Sequence, residues 1–238
     1  MLNQAIQWLQ MAGTAAEAIL LVRLLTLKLQ RLYVFVTLYW AVNLLFDVAQ
    51  WILGWTSPAT VRLQINALFL FAFLFPFAAW DAFEEIKPAI EKIRRVHAPR
   101  LISGLFITAL LGLIWFISLS EDAAANASPK DWVGLFVWLG SACACLLFIW
   151  KVYRSARKQA IALPRNTVVW AIFFMLTLGQ SILQCVVFMA RPVLKDPAPD
   201  IIESLFLTFE LCLYVWCAIK LRPWPSDVTR EPEKASIS

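Results

Sequence analysis

Residues 32–54 read LYVFVTLYWAVNLLFDVAQWILG, a stretch with one acidic residue, Asp47, and no basic residue. An α-helix rises about 1.5 Å per residue, and the hydrocarbon core of a bilayer is about 30 Å thick, so about 20 apolar residues cross it as a helix. Residues 32–54 are long and apolar enough to do this. The stretch therefore predicts a transmembrane helix.

Six further apolar stretches predict that the chain crosses the membrane seven times. The composition agrees, because 61% of the residues are hydrophobic, 16% are charged and the mean hydropathy is +0.70. A soluble domain of 238 residues cannot bury that much apolar surface. We therefore expect an all-α membrane protein, a seven-transmembrane helix bundle over residues 1–222 with a disordered tail over residues 223–238. The other six predicted spans are residues 4–24, 61–82, 101–120, 131–150, 167–190 and 201–220.

Lysine and arginine are distributed unevenly between the two sets of connections. One set holds seventeen of the 21, whereas the other holds four, namely Arg62, Lys130, Arg191 and Lys195. Cytoplasmic loops keep an excess of basic residues. We therefore expect the N-terminus outside and the C-terminus in the cytoplasm, in a multi-pass protein of the cell membrane (a bacterial inner membrane or its equivalent). The basic residues would face anionic lipids at the cytoplasmic face, so the net charge of +5 requires no nucleic acid.

The sequence lacks the residue patterns of common cofactor, metal and catalytic sites. The one histidine, His97, falls in a predicted cytoplasmic connection, and all five cysteines fall within predicted spans. There is no phosphate-binding glycine motif, and no span supplies a histidine to activate Ser103. The last span contains no lysine for a retinal, since Lys220 lies at its cytoplasmic end. We expect no cofactor and no metal, and we do not expect an enzyme. Residues 126–128 match a glycosylation sequon on a predicted outer loop.

Similar segments recur in the two halves of the chain. Residues 13–22 match residues 140–149 in size and polarity, and residues 67–70 match residues 204–207. Many transporter folds are duplicated in this way, so we expect spans one to three and five to seven to be parallel copies joined by span four. This arrangement resembles that of the sugar-exporting SWEET carriers. The resemblance is architectural only, because the Pro-Gln motif of that wider group is missing, and it assigns no residue a role.

The predicted connection between spans three and four is amphipathic. Apolar residues recur at helical spacing over residues 83–93, and Glu91 can pair with Arg95 one turn later. We expect helix three to continue past the membrane, with a bend near Pro88. The apolar face would lie on the lipid surface, or it would form a docking surface for a protein partner over residues 83–97. We favour the lipid surface.

Polar residues form stripes on four of the predicted spans. Positions i, i+3, i+4 and i+7 share one helix face, and every stripe lies between the outer interface and the midplane. Carboxylates are costly in hydrocarbon and face the bundle interior or water. We therefore predict an outward-facing, acidic pocket. Its predicted ligand or proton residues are Glu17, Asn43, Asp47, Gln50, Gln180, Gln184, Glu203 and Glu210.

Two kinds of function fit such a pocket. In the first, the protein binds, carries or senses a small solute, and the acidic residues favour a cation. In the second, it is a structural or assembly subunit of a membrane complex, and its polar stripes are hydrogen bonds between its own helices. Asp47 and Glu210 are the residues for which we most expect contact with a ligand or proton.

Overall fold

The structure, a computed structural model, describes residues 2–54, 57–118, 129–190 and 198–223, and these form α-helices joined by short turns and connections. Seven long helices occur in these ranges, with short 3₁₀ turns at Leu29–Arg31 and Glu84–Ile86. The predicted tail, the sequon at residues 126–128 and the side chains of Arg62, Lys130, Arg191 and Lys195 lie outside the described residues. The helices are α1 (Leu2–Thr26), α2 (Val34–Leu53), α3 (Pro58–Asp81), α4 (Lys87–Ser118), α5 (Pro129–Lys158), α6 (Arg165–Ala190) and α7 (Ala198–Lys220).

Five of the helices are long and apolar enough to cross a membrane, judged on the described residues. They are α1, α2, α5, α6 and α7. Many of their large apolar side chains point away from the bundle, as Ile19, Leu45 and Ile219 do. Such surfaces suit hydrocarbon rather than water. The all-helical prediction is confirmed for the described residues, and the chain has the build of a multi-pass membrane protein.

Six of the helices form a closed ring in the order α1, α2, α3, α5, α6, α7. Each contacts its neighbours in that order, and the ring closes where α7 packs on α1. Helix α4 lies against α5 outside the ring. Aromatic side chains fill the centre: the fully buried ring of Trp40 lies edge-on to Phe173 of α6 at 5.4 Å and to Tyr214 of α7 at 5.1 Å.

The connection between α3 and α4 differs from its prediction. Helix α3 ends at Asp81 and α4 begins at Lys87, so the amphipathic segment belongs mainly to the start of α4 and does not extend helix three. Pro88 lies in the first turn of α4, where its missing N–H has no intrahelical partner to lose. The pairing of Glu91 with Arg95 is confirmed, at 2.5 Å.

The apolar face of this segment is already covered by the protein. Phe83, Ile86, Ile90 and Ile93 are all buried in the core of the bundle. The apolar face therefore does not lie on the lipid surface, and it is not open to a protein partner. Both predictions for the apolar face of residues 83–97 are wrong. Periodicity marked the apolar face correctly, but it could not distinguish lipid from protein as the surface that covers it.

Acidic residues in the turn between α3 and α4 cap the first turns of two other helices. Asp81 accepts a hydrogen bond of 2.5 Å from the backbone N–H of Phe35 at the start of α2. Glu85 accepts hydrogen bonds from the backbone N–H and the hydroxyl of Thr167 and from the side chain of Asn166, at 3.0 to 3.1 Å. The first N–H groups of a helix have no partner within it, and its N-terminus favours negative charge. One turn thus holds both α2 and α6.

A third acid of the same turn holds the start of α4. Glu84 accepts two hydrogen bonds of 3.2 Å from the guanidinium of Arg94, which also donates to the backbone oxygen of Trp80 and lies 4.0 Å from its ring centre. Burial lowers the pKa of Arg94 from its usual value, and the charge of Glu84 opposes this shift. Arg94 stays charged because it is paired. We call Asp81, Glu84 and Glu85 the acid turn.

Further contacts show that the acid turn lies at the end of the bundle where most lysine and arginine residues are found. Asn166 receives a hydrogen bond from the backbone N–H of Arg222 after α7, and Arg23 of α1 donates to the backbone oxygen of Ala218. Ser155 near the end of α5 contacts His97 of α4. We call this the basic end. The helices therefore alternate in direction along the chain.

A proline inside α3 is compensated by a side chain of α5. Pro76 has no N–H, so the carbonyl of Ala72 one turn earlier loses its helical partner. The hydroxyl of Ser141, which is buried, donates a hydrogen bond of 2.6 Å to that carbonyl. In hydrocarbon an unpaired carbonyl is costly, so this contact satisfies α3 and also fixes α5 against it.

Ser141→Ala should lower the free energy of unfolding by about 1–2 kcal/mol, because the Ala72 carbonyl is left without a donor. In a Pro76→Ala background the same change should cost clearly less, since residue 76 can then donate its own N–H. Unfolding of all four proteins in detergent would measure this double-mutant cycle. Equal costs of Ser141→Ala in both backgrounds would contradict the assignment.

Candidate functional site

Polar residues predicted on α1 and α2 meet at the interface between these helices. The hydroxyl of Thr14 lies 3.0 Å from a carboxyl oxygen of Asp47 and 3.1 Å from the backbone oxygen of Gln10. The amide of Asn43 donates a hydrogen bond of 2.5 Å to Glu17. Helical spacing explains the match, since Thr14 and Glu17 lie on one face of α1 and Asn43 and Asp47 on one face of α2.

The polar residues of α6 and α7 meet in a similar way. The amide of Gln180 donates to the backbone oxygen of Phe206 at 3.2 Å and also reaches the carboxyl of Glu210. The hydroxyl of Tyr214 donates a hydrogen bond of 2.5 Å to Glu210. Tyr214 is one turn after Glu210 on α7. The sequence analysis missed it, although the i+4 spacing to a predicted site residue was visible.

The two interfaces join in one cluster at the centre of the ring. Glu17 lies within electrostatic range of both Asp47 and Glu210, and Tyr39 lies within electrostatic range of all three. The Tyr214 hydroxyl is also within reach of Glu17, but its single proton is directed at Glu210. Oxygen Oε2 of Glu17 is buried without a hydrogen-bond partner among the described residues. We call Glu17, Asp47 and Glu210 the carboxyl cluster.

The other predicted site residues are distributed less uniformly. Gln50 is 3% exposed on α2, Gln184 is half-buried on α6 and Glu203 is exposed on α7. Glu203 precedes Glu210 by seven residues, about 10 Å along the helix, toward the end opposite the basic end. The structure therefore joins Glu17, Asn43, Asp47, Gln180 and Glu210 in one region and leaves Glu203 at the surface.

The carboxyl cluster has no basic partner among the side chains that the structure describes. Its hydrogen bonds come from a hydroxyl, an amide and a phenol. Within the described residues, no three histidine, cysteine, aspartate or glutamate side chains are placed to hold a metal ion. All five cysteines are free thiols, and of these Cys212 alone is exposed. The hydrogen-bond partners of the carboxyl cluster are therefore neutral side chains.

A sizeable cavity lies elsewhere in the molecule. Its volume is about 710 Å³, and it is lined by residues of α2, α3, α4 and α5, most of them apolar. None of the predicted site residues lines it. In the carboxyl cluster Glu17 is 3% exposed, whereas Asp47 and Glu210 are half-buried. The structure thus places these three carboxyls in a partly buried cluster, not in this cavity.

Comparison with known proteins gives no further assignment. No protein-family model, no curated protein and no solved structure matches the chain.

Asn43→Leu should destabilise the protein by about 1–3 kcal/mol, because it removes the donor to a buried carboxyl of Glu17. In a Glu17→Leu background the same change should cost much less, since no buried acceptor remains. Thermal unfolding in detergent would measure the cycle, with Glu203→Gln at an exposed position of α7 as the control. Additive effects of the two leucine substitutions would contradict the contact.

Proposed function

We propose that the protein binds a small cationic solute at the carboxyl cluster and carries it across the membrane. The observation that supports this most directly is the grouping of Glu17, Asp47 and Glu210 without a basic partner among the described side chains. Neighbouring carboxylates in a buried site cannot all remain ionised unless a cation joins them. The cluster therefore holds either protons or a cation, which is the exchange that a proton-coupled carrier needs.

The surrounding aromatic rings favour an organic cation. The hydroxyl of Tyr214 donates to Glu210, and Tyr39 lies within electrostatic range of all three carboxyls. The ring of Trp40 packs against both tyrosine rings. Aromatic faces attract ammonium groups, most strongly where water is excluded. Gln180 Oε1 is also buried without a partner among the described residues, so it can accept a hydrogen bond from an N–H donor. A protonated amine would use both features.

The order of helices in the ring supports an internal duplication. A twofold rotation along the ring axis would exchange α1 with α5, α2 with α6 and α3 with α7. It would also exchange the contact between α3 and α5 with that between α7 and α1, and both contacts are extensive. We propose that α1–α3 and α5–α7 are parallel copies and that all seven helices cross the membrane. Rocking of one copy against the other would give the cluster access to each side in turn.

The position of the basic residues supports an orientation of the carrier in the membrane, with the basic end in the cytoplasm. The basic end collects exposed basic residues near three connections and at the end of α7, including Lys28, Lys92, Arg157 and Lys220. The positive-inside rule then puts the basic end in the cytoplasm and the N-terminus outside, in a cell membrane. The carboxyl cluster would lie near the middle of the membrane, because Glu17 is nearer the basic end of α1, Asp47 is nearer the opposite end of α2 and Glu210 is near the middle of α7.

An assembly or structural role remains the second candidate. It is favoured by the bonds of Thr14 to Asp47 and of Asn43 to Glu17, which join α1 to α2 without a ligand. Such contacts contribute about 0.6 kcal/mol each within membranes. In this case the carboxyl cluster would serve only to form hydrogen bonds between helices.

Asp47→Asn and Glu210→Gln separate these two functions. An amide keeps the hydrogen bonds but loses the charge, so both variants should fold, and binding of small organic cations should fall about tenfold or more. Isothermal titration with a series of protonated and quaternary amines, beside thermal unfolding of the same samples, would measure this. Glu203→Gln, at an exposed position of the same helix as Glu210, is the matched control.

Binding that is equal in Asp47→Asn, Glu210→Gln and the unsubstituted protein would contradict the carrier proposal. The assembly candidate predicts that both amide substitutions are silent or stabilising, since they remove the cost of burying a charge. It also predicts a constant protein partner after purification.

Cysteine labelling tests the orientation. In a cysteine-free background, Ser128→Cys should react with a membrane-impermeant maleimide added to intact cells. Gln159→Cys, at the exposed end of α5, should react only after the cells are opened. The reverse pattern would place the basic end outside.

A further inference from the structure

The cavity between α2, α3, α4 and α5 is a groove that opens at the surface of the bundle. Its rim includes Phe73 and Ile102, which are 66% and 65% exposed. Its volume of about 710 Å³ falls within the range of about 300–1,000 Å³ that is typical of ligand sites. Because the groove lies on the outside of the helix ring, it is separate from the carboxyl cluster.

The lining of the groove suits a hydrocarbon chain. Ser141 is the one lining residue with a hydroxyl, and that hydroxyl is already bonded to the backbone oxygen of Ala72. The lining otherwise consists of alanine, leucine, isoleucine, valine, proline and aromatic side chains. A polar ligand would lose its hydrogen bonds to water here without replacement. The occupant is therefore apolar along its length.

The depth of the groove matches one leaflet of a bilayer. The groove extends along α3 from Trp80, next to the acid turn, to Ala72. Eight residues of helix span about 12 Å, and one leaflet contributes about 15 Å of the roughly 30 Å hydrocarbon core. The groove therefore runs through the leaflet next to the basic end, whichever side of the membrane that end faces.

Basic side chains stand where a lipid headgroup would lie. Ala98 lines the groove on α4, and Arg95 and Lys92 follow at one-turn intervals toward the basic end. Arg95 is 78% exposed and pairs with Glu91, whereas Lys92 is exposed and has no ion pair among the described residues. Arg94 is buried against Trp80, a lining residue, and is already paired with Glu84. Exposed lysine and arginine side chains at this end of the groove attract anionic headgroups.

We propose that this groove binds one acyl chain of an anionic phospholipid, with the phosphate near Lys92 and Arg95. The apolar lining indicates an acyl chain, and the depth of the groove indicates the leaflet next to the basic end. The basic residues indicate an anionic headgroup. A second copy of the protein is a poorer occupant. Two copies lying side by side in one membrane would bring their basic ends together, and like charges would oppose the contact.

Two phenylalanine substitutions on α4 test the groove. Ala98→Phe fills it, whereas Val96→Phe adds the same ring at a 61% exposed position outside the lining. The proteins would be reconstituted with equal amounts of palmitoyl-oleoyl phosphatidylglycerol and phosphatidylcholine, extracted into detergent and examined by native mass spectrometry. We expect the unsubstituted protein and Val96→Phe to retain one phosphatidylglycerol. Blocking the burial of only two methylene groups lowers affinity about tenfold, so Ala98→Phe should lose at least that factor in retained lipid.

A second pair of variants tests the groove independently, in case Ala98→Phe does not fold. Ile102→Trp narrows the same groove, and Ile107→Trp is its control on the same helix, 53% exposed and outside the lining. Lys92→Gln together with Arg95→Gln should remove the preference for phosphatidylglycerol over phosphatidylcholine while leaving the chain site intact.

Several results would overturn the proposal. These are no retained lipid in the unsubstituted protein, equal retention in the groove variants and their controls, or a preference for phosphatidylcholine. A dimer that disappears with Ala98→Phe but not with Val96→Phe would assign the groove to a second copy instead.

Discussion

In hydrocarbon, a polar group without a partner inside the protein has none at all, and this constraint accounts for the arrangement of the polar side chains. It explains why the carbonyl freed by Pro76 receives the hydroxyl of Ser141 from another helix. It also explains why Thr14 and Asn43 face the acidic residues of the neighbouring helix. Each such contact satisfies a buried group and fixes the register between two helices.

The acid turn supplies such partners at the basic end of the bundle. Helices α2 and α6 begin there, and the carboxyls of Asp81 and Glu85 accept bonds from their first turns. Glu84 pairs with the buried Arg94 and so holds the start of α4. The contacts of these three carboxyls thus join helices that are far apart in the sequence. This explains why its apolar residues are buried while its charges are not simply solvated.

The carboxyl cluster and the groove place different side chains in different parts of the bundle. The cluster gathers ionisable groups inside the ring, where Glu17, Asp47 and Glu210 lie within electrostatic range of one another. The groove places apolar side chains at the lipid-facing surface, where a chain of the bilayer itself can fill the space. A carrier that changes shape around the cluster would also change the surface that its lipids contact.

The order of residues along the chain was enough to predict the helical class, the positions of the helices to within a few residues at most ends, and the faces on which Glu17, Asn43 and Asp47 lie. Hydrophobic run length and helical periodicity are local properties, and they carry this information directly. The sequence did not determine that α4 begins at Lys87 and buries Ile90 and Ile93, because periodicity marks an apolar face without naming what covers it. Nor could it bring Tyr214 of α7 within reach of Glu17 of α1, expose Glu203, or pair Ser141 with Ala72. Those features depend on how the helices rotate and pack against one another, and neither run length nor periodicity specifies that rotation.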